Sequence, residues 1–447
     1  MNVLSQNATT APQPRVDIIM NGMDRDTIAI TYGVEWQFLI PTLTKDQQDP
    51  HPNDSREVIV CPDNDHFTVA KAVRGAVLAT LSNVQVQAEG LPIFQRNVAT
   101  STVPQKDPST PPYSRFVVEI DQDLVPHPDK FPGSYTWVGV KVKSNIRNTN
   151  LPDHFDQIGH VSIALRNTLR VRLAPTTSFM VHIGEERRCS QEYNSGPLFL
   201  RRFCMLWWFI EPLIESLAHP SRATHPMCLS LRQHSYIRYT RSEELTQEWG
   251  CNKNFAPLYT YMHQMFPHVL RGGRLETEIE SIWRSVDAKS LARKMSVQIW
   301  ELDTMETTGA QVPYPTWDTG SVGFHGFCEG ALPENTRPHN DGRTSTIEFR
   351  TLESTLDPLL IIHWLAVLVR LFDFSRRAPP SDILAIICQS TSDYTAMELL
   401  RNLGLEEQVY YFSDKKVSDR FSNSESKENS FVPPYSSQDI PAIRING

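Results

Sequence analysis

Alternating apolar and charged side chains predict an antiparallel pair of strands in the first third of the chain. Residues 116–123 and 135–143 follow this period-two pattern, and the stretch between them contains the Pro and Gly residues that turns require. The β-branched and aromatic segment 24–40 predicts a further strand, and apolar segments at 178–184 and 345–350 predict two more. The chain is therefore expected to build a mainly antiparallel sheet.

Longer segments with apolar residues every three to four positions predict helices between and after these strands. They are residues 68–81, 155–173, 198–217 and 359–374. Strands interspersed with long helices in this way are typical of an α+β fold.

Both ends of the chain are poor in apolar residues, and the middle reads as one domain. The two terminal segments have too few apolar side chains for their burial to offset the entropy lost when a chain becomes ordered. We expect a disordered leader over 1–23, one domain over 24–412 and a disordered polar tail over 413–447. The Pro-rich breaks inside the domain are expected to be surface loops, at 41–62, 104–112 and 313–338.

The charge balance restricts the expected partners. The 447 residues include 43 Lys and Arg against 51 Asp and Glu, so the formal net charge is −8. A negative protein matches nucleic acid or an anionic membrane poorly, and neither partner is expected. The longest apolar run, 359–369, is interrupted by His363 and is shorter than the roughly 20 residues of a membrane helix. The leader lacks the apolar stretch of a secretory signal.

The cysteines indicate a reducing compartment. There are 7, scattered along the chain without a CxxC pair, which is typical of free thiols rather than of a disulfide framework or a zinc site. A cytoplasmic protein is expected, and its oligomeric state is left open.

The candidate chemistry lies in charged residues placed inside apolar strands. The chain has no P-loop, no glycine-rich dinucleotide motif, no nucleophile elbow and no HExxH pair. What remains is Glu35, His182, Glu348 and Arg350, and a carboxylate among large apolar residues is unfavourable unless it is paired or holds a metal. Taken singly, each has a simpler reading. Glu35 would be an exposed strand residue, His182 a hydrogen-bonded core histidine, and Glu348 with Arg350 a surface ion pair.

Several blocks of the chain, taken in order, match the pattern of a known family. They are GVEWQF, FVVEIDQDL, WVGVKVKS, SFMVHIG, FCMLWWFIEPLIESLAHPSR and TIEFRTLESTLDP. In this order they resemble the amidoligase family, ATP-dependent carboxylate–amine ligases with a glutamine-synthetase-like fold. The resemblance covers residues 30–412, including a closing helix in AMELLRNLGL. It implies a curved, mainly antiparallel sheet with helices on its outer face and an ATP- and metal-binding funnel on its inner face.

The resemblance also implies a reaction and a set of site residues. ATP would phosphorylate a carboxylate, and an amine would attack the acyl phosphate to form an amide or isopeptide bond. Glu35, His182 and Glu348 match the family's metal ligands and are expected to hold Mg²⁺ or Mn²⁺. Arg350 is expected to stabilise charge on the transferred phosphoryl group. The expected substrates are small-molecule or peptide carboxylates and amines.

Two positions depart from the family pattern where a second ion would be held. Gln37 stands at the second acid of the first strand, and Lys141 stands where the family has another acid. Lys141 could act as a catalytic and nucleotide-binding cation that replaces part of the metal charge. Alternatively, activity is lost and the chain is a binding or scaffold protein. In a third reading, Lys141 and Lys143 form cross-strand ion pairs with acids of the neighbouring strand, Glu119, Asp121 and Asp123.

Two residues near the apolar helix 198–217 are weighed separately. Arg222 could bind the nucleotide phosphates or a substrate carboxylate, or its charge could complement the dipole of that helix. Glu211, which lies between Ile210 and Pro212, is expected to be buried, paired and structural.

Overall fold

The computed structural model of the protein shows mixed helix and strand around one open sheet. The sheet is mainly antiparallel and its two edge strands do not meet. This confirms the α+β class and the strand pairing expected from the pattern. The described residues are 29–84, 86, 88–90, 114–122, 124, 135–151, 154–174, 177–185, 196–239, 273–285, 287–300, 313–316, 320–324, 327, 346–414 and 431–435.

The main sheet has the strand order β10-β11-β7-β1-β5-β4-β3, and β2 and β6 also pair with β1. Strand β2 runs parallel to β1 and β3 runs parallel to β4, whereas the other neighbours are antiparallel. Strands β8 and β9 form a separate ribbon. The strands are β1 (Ile30–Thr44), β2 (Ile59–Cys61), β3 (Ala88–Gly90), β4 (Phe116–Asp121), β5 (Thr136–Lys143), β6 (Arg147–Asn148), β7 (Phe179–Glu185), β8 (Val297–Trp300), β9 (Pro313–Thr316), β10 (Val322–Gly323) and β11 (Ile347–Phe349).

The helices supply most of the remaining core. Helices α1, α2 and α8 contact the sheet or one another, and α3 packs against α8. The α-helices are α1 (His66–Asn83), α2 (Asp156–Thr168), α3 (Gly196–Glu215), α4 (Leu231–His234), α5 (Tyr236–Tyr239), α6 (Arg274–Arg284), α7 (Ala288–Met295), α8 (Pro358–Arg377), α9 (Pro380–Gln389), α10 (Ala396–Asn402) and α11 (Glu406–Ser413). The predicted helices at 68–81, 198–217, 359–374 and within 396–405 are thereby confirmed.

One face of the sheet is apolar and is covered by helices. Trp36 of β1 lies on this face, where its indole N–H donates to Ser162 Oγ on α2 at 3.2 Å. Its ring stacks on Phe116 of β4 with centroids 6.4 Å apart. Because side chains of a strand alternate between its two faces, the residues at odd positions on either side of Trp36 must point away from these helices.

Helix α2 ends five residues before the predicted boundary at residue 173. After Thr168 the chain becomes extended, and Leu39 and Arg172 exchange backbone hydrogen bonds of 2.8 and 2.9 Å. Leu169 and Val171 in this extended piece are buried, so apolar residues continue beyond the helix. Their spacing fits a buried strand as well as a helix. The apolar pattern therefore predicted a helix that continues past its actual end at Thr168.

Two other expectations are modified. The Pro-rich stretch 41–62 contains the end of β1 and the short strand β2 as well as a loop. Residues 431–435, inside the tail expected to be disordered, contact the domain, and the Val432 N–H donates to the Val171 carbonyl at 2.9 Å. The predicted leader 1–23 and the tail residues 415–430 and 436–447 lie outside the described residues.

One helix in the described part of the chain, α8, is long and apolar enough to cross a membrane. Within its most apolar 18-residue window, 72% is buried inside the domain. This is the helix predicted at 359–374, and a helix buried in a protein core passes the same test of length and composition.

Candidate functional site

The second face of the sheet carries a band of charged side chains across neighbouring strands. In the strand register, Glu348 of β11 lies opposite His182 of β7, which lies opposite Gly33 of β1. Two residues further along β1, Glu35 lies opposite Lys143 of β5. Since directly paired residues share a face, we call this band the polar face. The three predicted metal ligands and Lys141 all lie on it.

The predicted metal ligands are brought to one region, but each carboxylate already has a protein partner. Glu348 accepts from Arg350 Nε at 2.8 Å, and Glu35 accepts from Gln37 Nε2 at 3.1 Å. Glu35 and Glu348 are 7% and 8% exposed, so both are buried but keep a small solvent-accessible area. Among the residues that the structure describes, no three His, Cys, Asp or Glu side chains are close enough together to hold an ion. Ion binding by Glu35, His182 and Glu348 stays a prediction.

Arg350 is held rigidly at the end of β11. Besides its bond to Glu348, its Nη1 donates to the Gly320 carbonyl at 3.3 Å. The guanidinium lies over Gly323 of β10, where an added Cβ would approach Nη2 to 3.1 Å. A glycine at this position therefore leaves room for the planar guanidinium, and the side chain is preorganised rather than mobile.

Gln37 has a structural role that a carboxylate could not fill. Its Nε2 donates to Glu35, while its Oε1 accepts from the Ser178 N–H at 3.1 Å and from the Ser178 hydroxyl at 2.8 Å. An acid here would accept from Ser178 but would repel Glu35, because it has no donor to offer. The amide thus fixes the orientation of Glu35 and ties β1 to the start of β7.

The two lysines of β5 form cross-strand ion pairs, as one of the three readings expected. Lys141 Nζ lies 2.8 Å from Asp121 Oδ2, and Lys143 Nζ lies 2.9 Å from Glu119 Oε2. Lys143 Nζ also lies 3.8 Å from Glu35 Oε2. Burial disfavours the Lys141 ammonium, but the charge of Glu35 and the contact with Asp121 outweigh it and raise the pKa of Lys141. Lys141 is therefore charged. The third expected partner, Asp123, lies outside the described residues.

The polar face ends at a small apolar cluster. Leu39 of β1 packs there with Leu124 and Ala174, next to Trp137 of β5. A Cβ on Gly139 would lie 2.3 Å from the Asp121 carbonyl oxygen, so only glycine lets the chain after β4 cross this closely. The register of β4 and β5 sets Asp121 diagonally opposite Lys141.

Arg222 lies beneath the end of β11 rather than on the polar face. It is 3% exposed, and its Nη2 donates to the Arg350 carbonyl at 2.6 Å. Burial lowers the pKa of Arg222, and the nearby Cys228 and Glu353 oppose that effect. Arg222 thus supports the backbone that carries Arg350. Binding of a nucleotide or of a substrate carboxylate by Arg222 stays a prediction.

Glu211 is buried and structural, as expected. Its carboxylate accepts from the Ser230 hydroxyl at 2.6 Å and from the backbone N–H groups of Leu231 and Arg232 at 2.8 and 3.0 Å. Ser321 Oγ donates to it at 2.5 Å. It connects α3 to the chain entering α4 and to the segment that leads into β10.

Sequence reasoning missed two residues of the polar face. Ser178 anchors Gln37, and nothing in its local pattern signals that. Lys143 was considered only as an ion-pair partner of the acids on the neighbouring strand, although its distance to Glu35 makes it part of the same charge cluster. Its position two residues from Lys141 on one strand was the available signal.

No protein-family model matches the chain, and no curated protein matches it.

Proposed function

We propose that the chain is an ATP-dependent ligase that joins a carboxylate to an amine, and that its open sheet is the glutamine-synthetase-like catalytic fold. The observation that carries this proposal is the strand register, which aligns Glu35, His182 and Glu348 on one face beside Arg350. The opposite face of the sheet packs against helices, as the contact of Trp36 with α2 shows. Such a layout suits a reaction in which charge neutralisation supplies most of the catalysis.

The reaction proceeds in two steps. An oxygen of the substrate carboxylate attacks the γ-phosphorus of ATP, the bond to the β-phosphate oxygen breaks, and ADP leaves. The amine nitrogen then attacks the acyl carbon, the bond to the phosphate oxygen breaks, and phosphate leaves with formation of the amide. The amine loses a proton to a base or to water.

The charged and polar residues of the polar face have different roles in the proposed reaction. Arg350 donates hydrogen bonds to phosphoryl oxygens through its planar guanidinium. Lys141 and Lys143 supply positive charge on the far side of Glu35, where they pair with the carboxylates of Asp121 and Glu119. Gln37 keeps the Glu35 carboxylate directed across the face.

The donors on this face fit a hard divalent ion in chemical type. Two carboxylates and one imidazole suit Mg²⁺ or Mn²⁺, and such an ion would neutralise phosphate charge. Glu35, His182 and Glu348 would hold it, which requires Glu348 to give up part of its contact with Arg350. The predicted substrates remain small-molecule or peptide carboxylates and amines.

Calorimetric titration with a non-hydrolysable ATP analogue, with and without Mg²⁺, tests the proposal. Wild-type protein should bind at micromolar concentration with Mg²⁺, and Glu348→Gln should weaken binding at least tenfold. Glu407→Gln, the same change at an exposed position of α11, is the matched control and should bind as wild type. Thermal melting of each protein separates loss of binding from loss of folding.

The reaction itself is tested with hydroxylamine as a general amine. A panel of carboxylic acids is incubated with ATP and Mg²⁺, and the acyl phosphate is trapped as a coloured hydroxamate. At least one acid should give hydroxamate together with ADP, and Arg350→Lys should reduce the rate at least tenfold. A folded protein that binds neither nucleotide nor metal would rule the ligase out.

A second candidate is a non-catalytic binding protein of the same fold. The ion pairs favour it, because Lys143 and Arg350 lie against Glu35 and Glu348, the two acids that a metal site would use. Nucleotide binding without ADP formation across the whole panel would support this candidate.

The proposed location is the cytoplasm. Cys61, Cys204, Cys228 and Cys388 are free thiols, as expected in a reducing compartment.

A further inference from the structure

Residues 431–435, with the sequence Phe-Val-Pro-Pro-Tyr, lie across the end of α2 and are held there by their backbone. The Val432 N–H donates to the Val171 carbonyl at 2.9 Å, and the Val432 carbonyl accepts from Arg56 Nη1 at 2.6 Å. Arg166 Nε donates to the Pro433 carbonyl. Asn167 clamps the last residue of the segment, because its side chain accepts from the Tyr435 N–H and donates to the Tyr435 carbonyl. We call residues 431–435 the strap.

Two aromatic side chains anchor the strap at its ends. The Phe431 ring contacts His51, Tyr135 and Trp137, with centroid distances of 5.1, 5.9 and 6.1 Å. The Tyr435 ring lies under the Arg166 guanidinium, 5.1 Å from its Cζ. Anchors four residues apart with backbone contacts between them are the pattern of a peptide-recognition groove.

The surface beneath the strap, which we call the strap groove, is organised by contacts that do not involve the strap. Arg56 is buried, and its guanidinium pairs with both carboxylate oxygens of Asp54 at 2.6 and 2.9 Å. Arg170 holds Asp49 through two hydrogen bonds of 2.8 and 2.9 Å, and Asp49 accepts from the Tyr135 hydroxyl at 2.7 Å. The main donor and the main aromatic surface are therefore in place without a ligand.

The strap sequence suits reversible docking. Pro433 and Pro434 have no backbone N–H that docking could leave unpaired. They also restrict the backbone to extended conformations, so the strap loses little conformational entropy when it docks. The strap joins the domain through residues 415–430, which follow α11. A tethered segment of this length competes with free peptide at an effective concentration on the order of 1 mM.

We propose that the strap groove is a docking site for extended peptides with two prolines between aromatic residues, and that the strap occupies it in cis as an exchangeable ligand. A partner that presents the same chemistry displaces the strap. Trp137, which contacts Phe431, lies on the same side of β5 as Lys141, so the groove borders the polar face. The proposal does not depend on what reaction that face performs.

The test is binding of a fluorescein-labelled peptide with the sequence of residues 430–437, SFVPPYSS, measured by fluorescence polarisation on full-length proteins. The strap variant Phe431→Ala with Tyr435→Ala frees the groove and should bind the peptide at least tenfold more tightly than wild type. Adding Asn167→Ala, an exposed position that removes the clamp, should weaken that binding at least tenfold. Tyr410→Ala, which truncates an exposed tyrosine of α11 that is not among the residues of the strap groove, should behave as wild type.

A second measurement uses the wild-type protein alone. Hydrogen exchange at the Val432 and Tyr435 amides should accelerate when the unlabelled peptide is added in millimolar excess. A peptide with both aromatic residues replaced by alanine should neither bind the strap variant in the polarisation assay nor accelerate hydrogen exchange in wild type. Equal peptide binding by wild type and the strap variant, or no binding by either at millimolar concentration, would overturn the proposal.

Discussion

Acid is expected to weaken the packing of α11 on α8 through a single histidine. The ring of His363 on α8 stacks on Tyr411 of α11 with centroids 4.0 Å apart. Its Nδ1 lies 3.3 Å from the Gln408 amide, which donates to it. Burial lowers the pKa of His363 from 6.5 to about 4, and the charge of Asp357 opposes only part of this shift. The folded state therefore contains the neutral imidazole.

The sign and size of the effect follow from proton linkage. Between pH 6.5 and about 4, the unfolded chain binds a proton on His363 that the folded protein does not. The stability that this group contributes is complete above pH 6.5 and is lost as the pH falls toward 4. These two pKa values correspond to a loss of about 2 kcal/mol between pH 7.5 and pH 5, and of about 3 kcal/mol below pH 4.

Urea unfolding followed by tryptophan fluorescence at pH 7.5 and pH 5 measures this loss. His363→Phe keeps a ring against Tyr411 but cannot be protonated, and the other titrating groups are common to both proteins. Wild type should therefore lose about 2 kcal/mol more than the variant over this range. If the two proteins lose the same free energy of unfolding within about 0.5 kcal/mol, His363 is not held in its neutral form and the reasoning fails.

Three further predictions concern glycines and buried acids. Gly139→Ala should lower the melting temperature because its Cβ would meet the Asp121 carbonyl at 2.3 Å, whereas Gly75→Ala in α1, with nothing within 4 Å, should stabilise by about 0.5–1 kcal/mol. Equal effects would contradict the close crossing. Glu211→Ala should lower the free energy of unfolding in urea by about 3 kcal/mol or more, since its donors lose their acceptor. A loss below about 1 kcal/mol would mean that water replaces the carboxylate. Burial and the charge of Glu211 raise the pKa of Glu215 to about 7, so wild type loses stability as the pH rises from 4.5 to 7, and Glu215→Gln should abolish this loss. Parallel pH profiles of unfolding for the two proteins would refute it.

Much of the fold was predictable from local pattern because its elements have distinct periods. The alternation in 116–123 and 135–143 produces β4 and β5, and the apolar spacing in 68–81 and 359–374 produces α1 and α8. The error at residue 173 arose where buried residues at short spacing satisfy helix and strand alike. The register between strands could not be read locally, because it depends on pairs far apart in the sequence.

The candidate site was predictable in its members but not in their partners. Charged residues within apolar strands pointed to Glu35, His182 and Glu348, and the register brings them to one face. That Gln37 bonds to Ser178, which is remote in sequence, has no local signal. Arg222 was a plausible phosphate ligand by composition, but its burial under β11 gives it a different contact.

The sequence alone determined that this protein combines mainly antiparallel strands with long apolar helices, because hydrophobic periodicity is a property of neighbouring residues. The tertiary structure decided which charges meet. Lys141 pairs with Asp121 because the register of β4 and β5 sets them at diagonal positions, and the strap lies where Arg56 and Asn167 form hydrogen bonds with its backbone. Such contacts depend on distances of a few ångströms between segments far apart in the chain, and local patterns do not encode those distances.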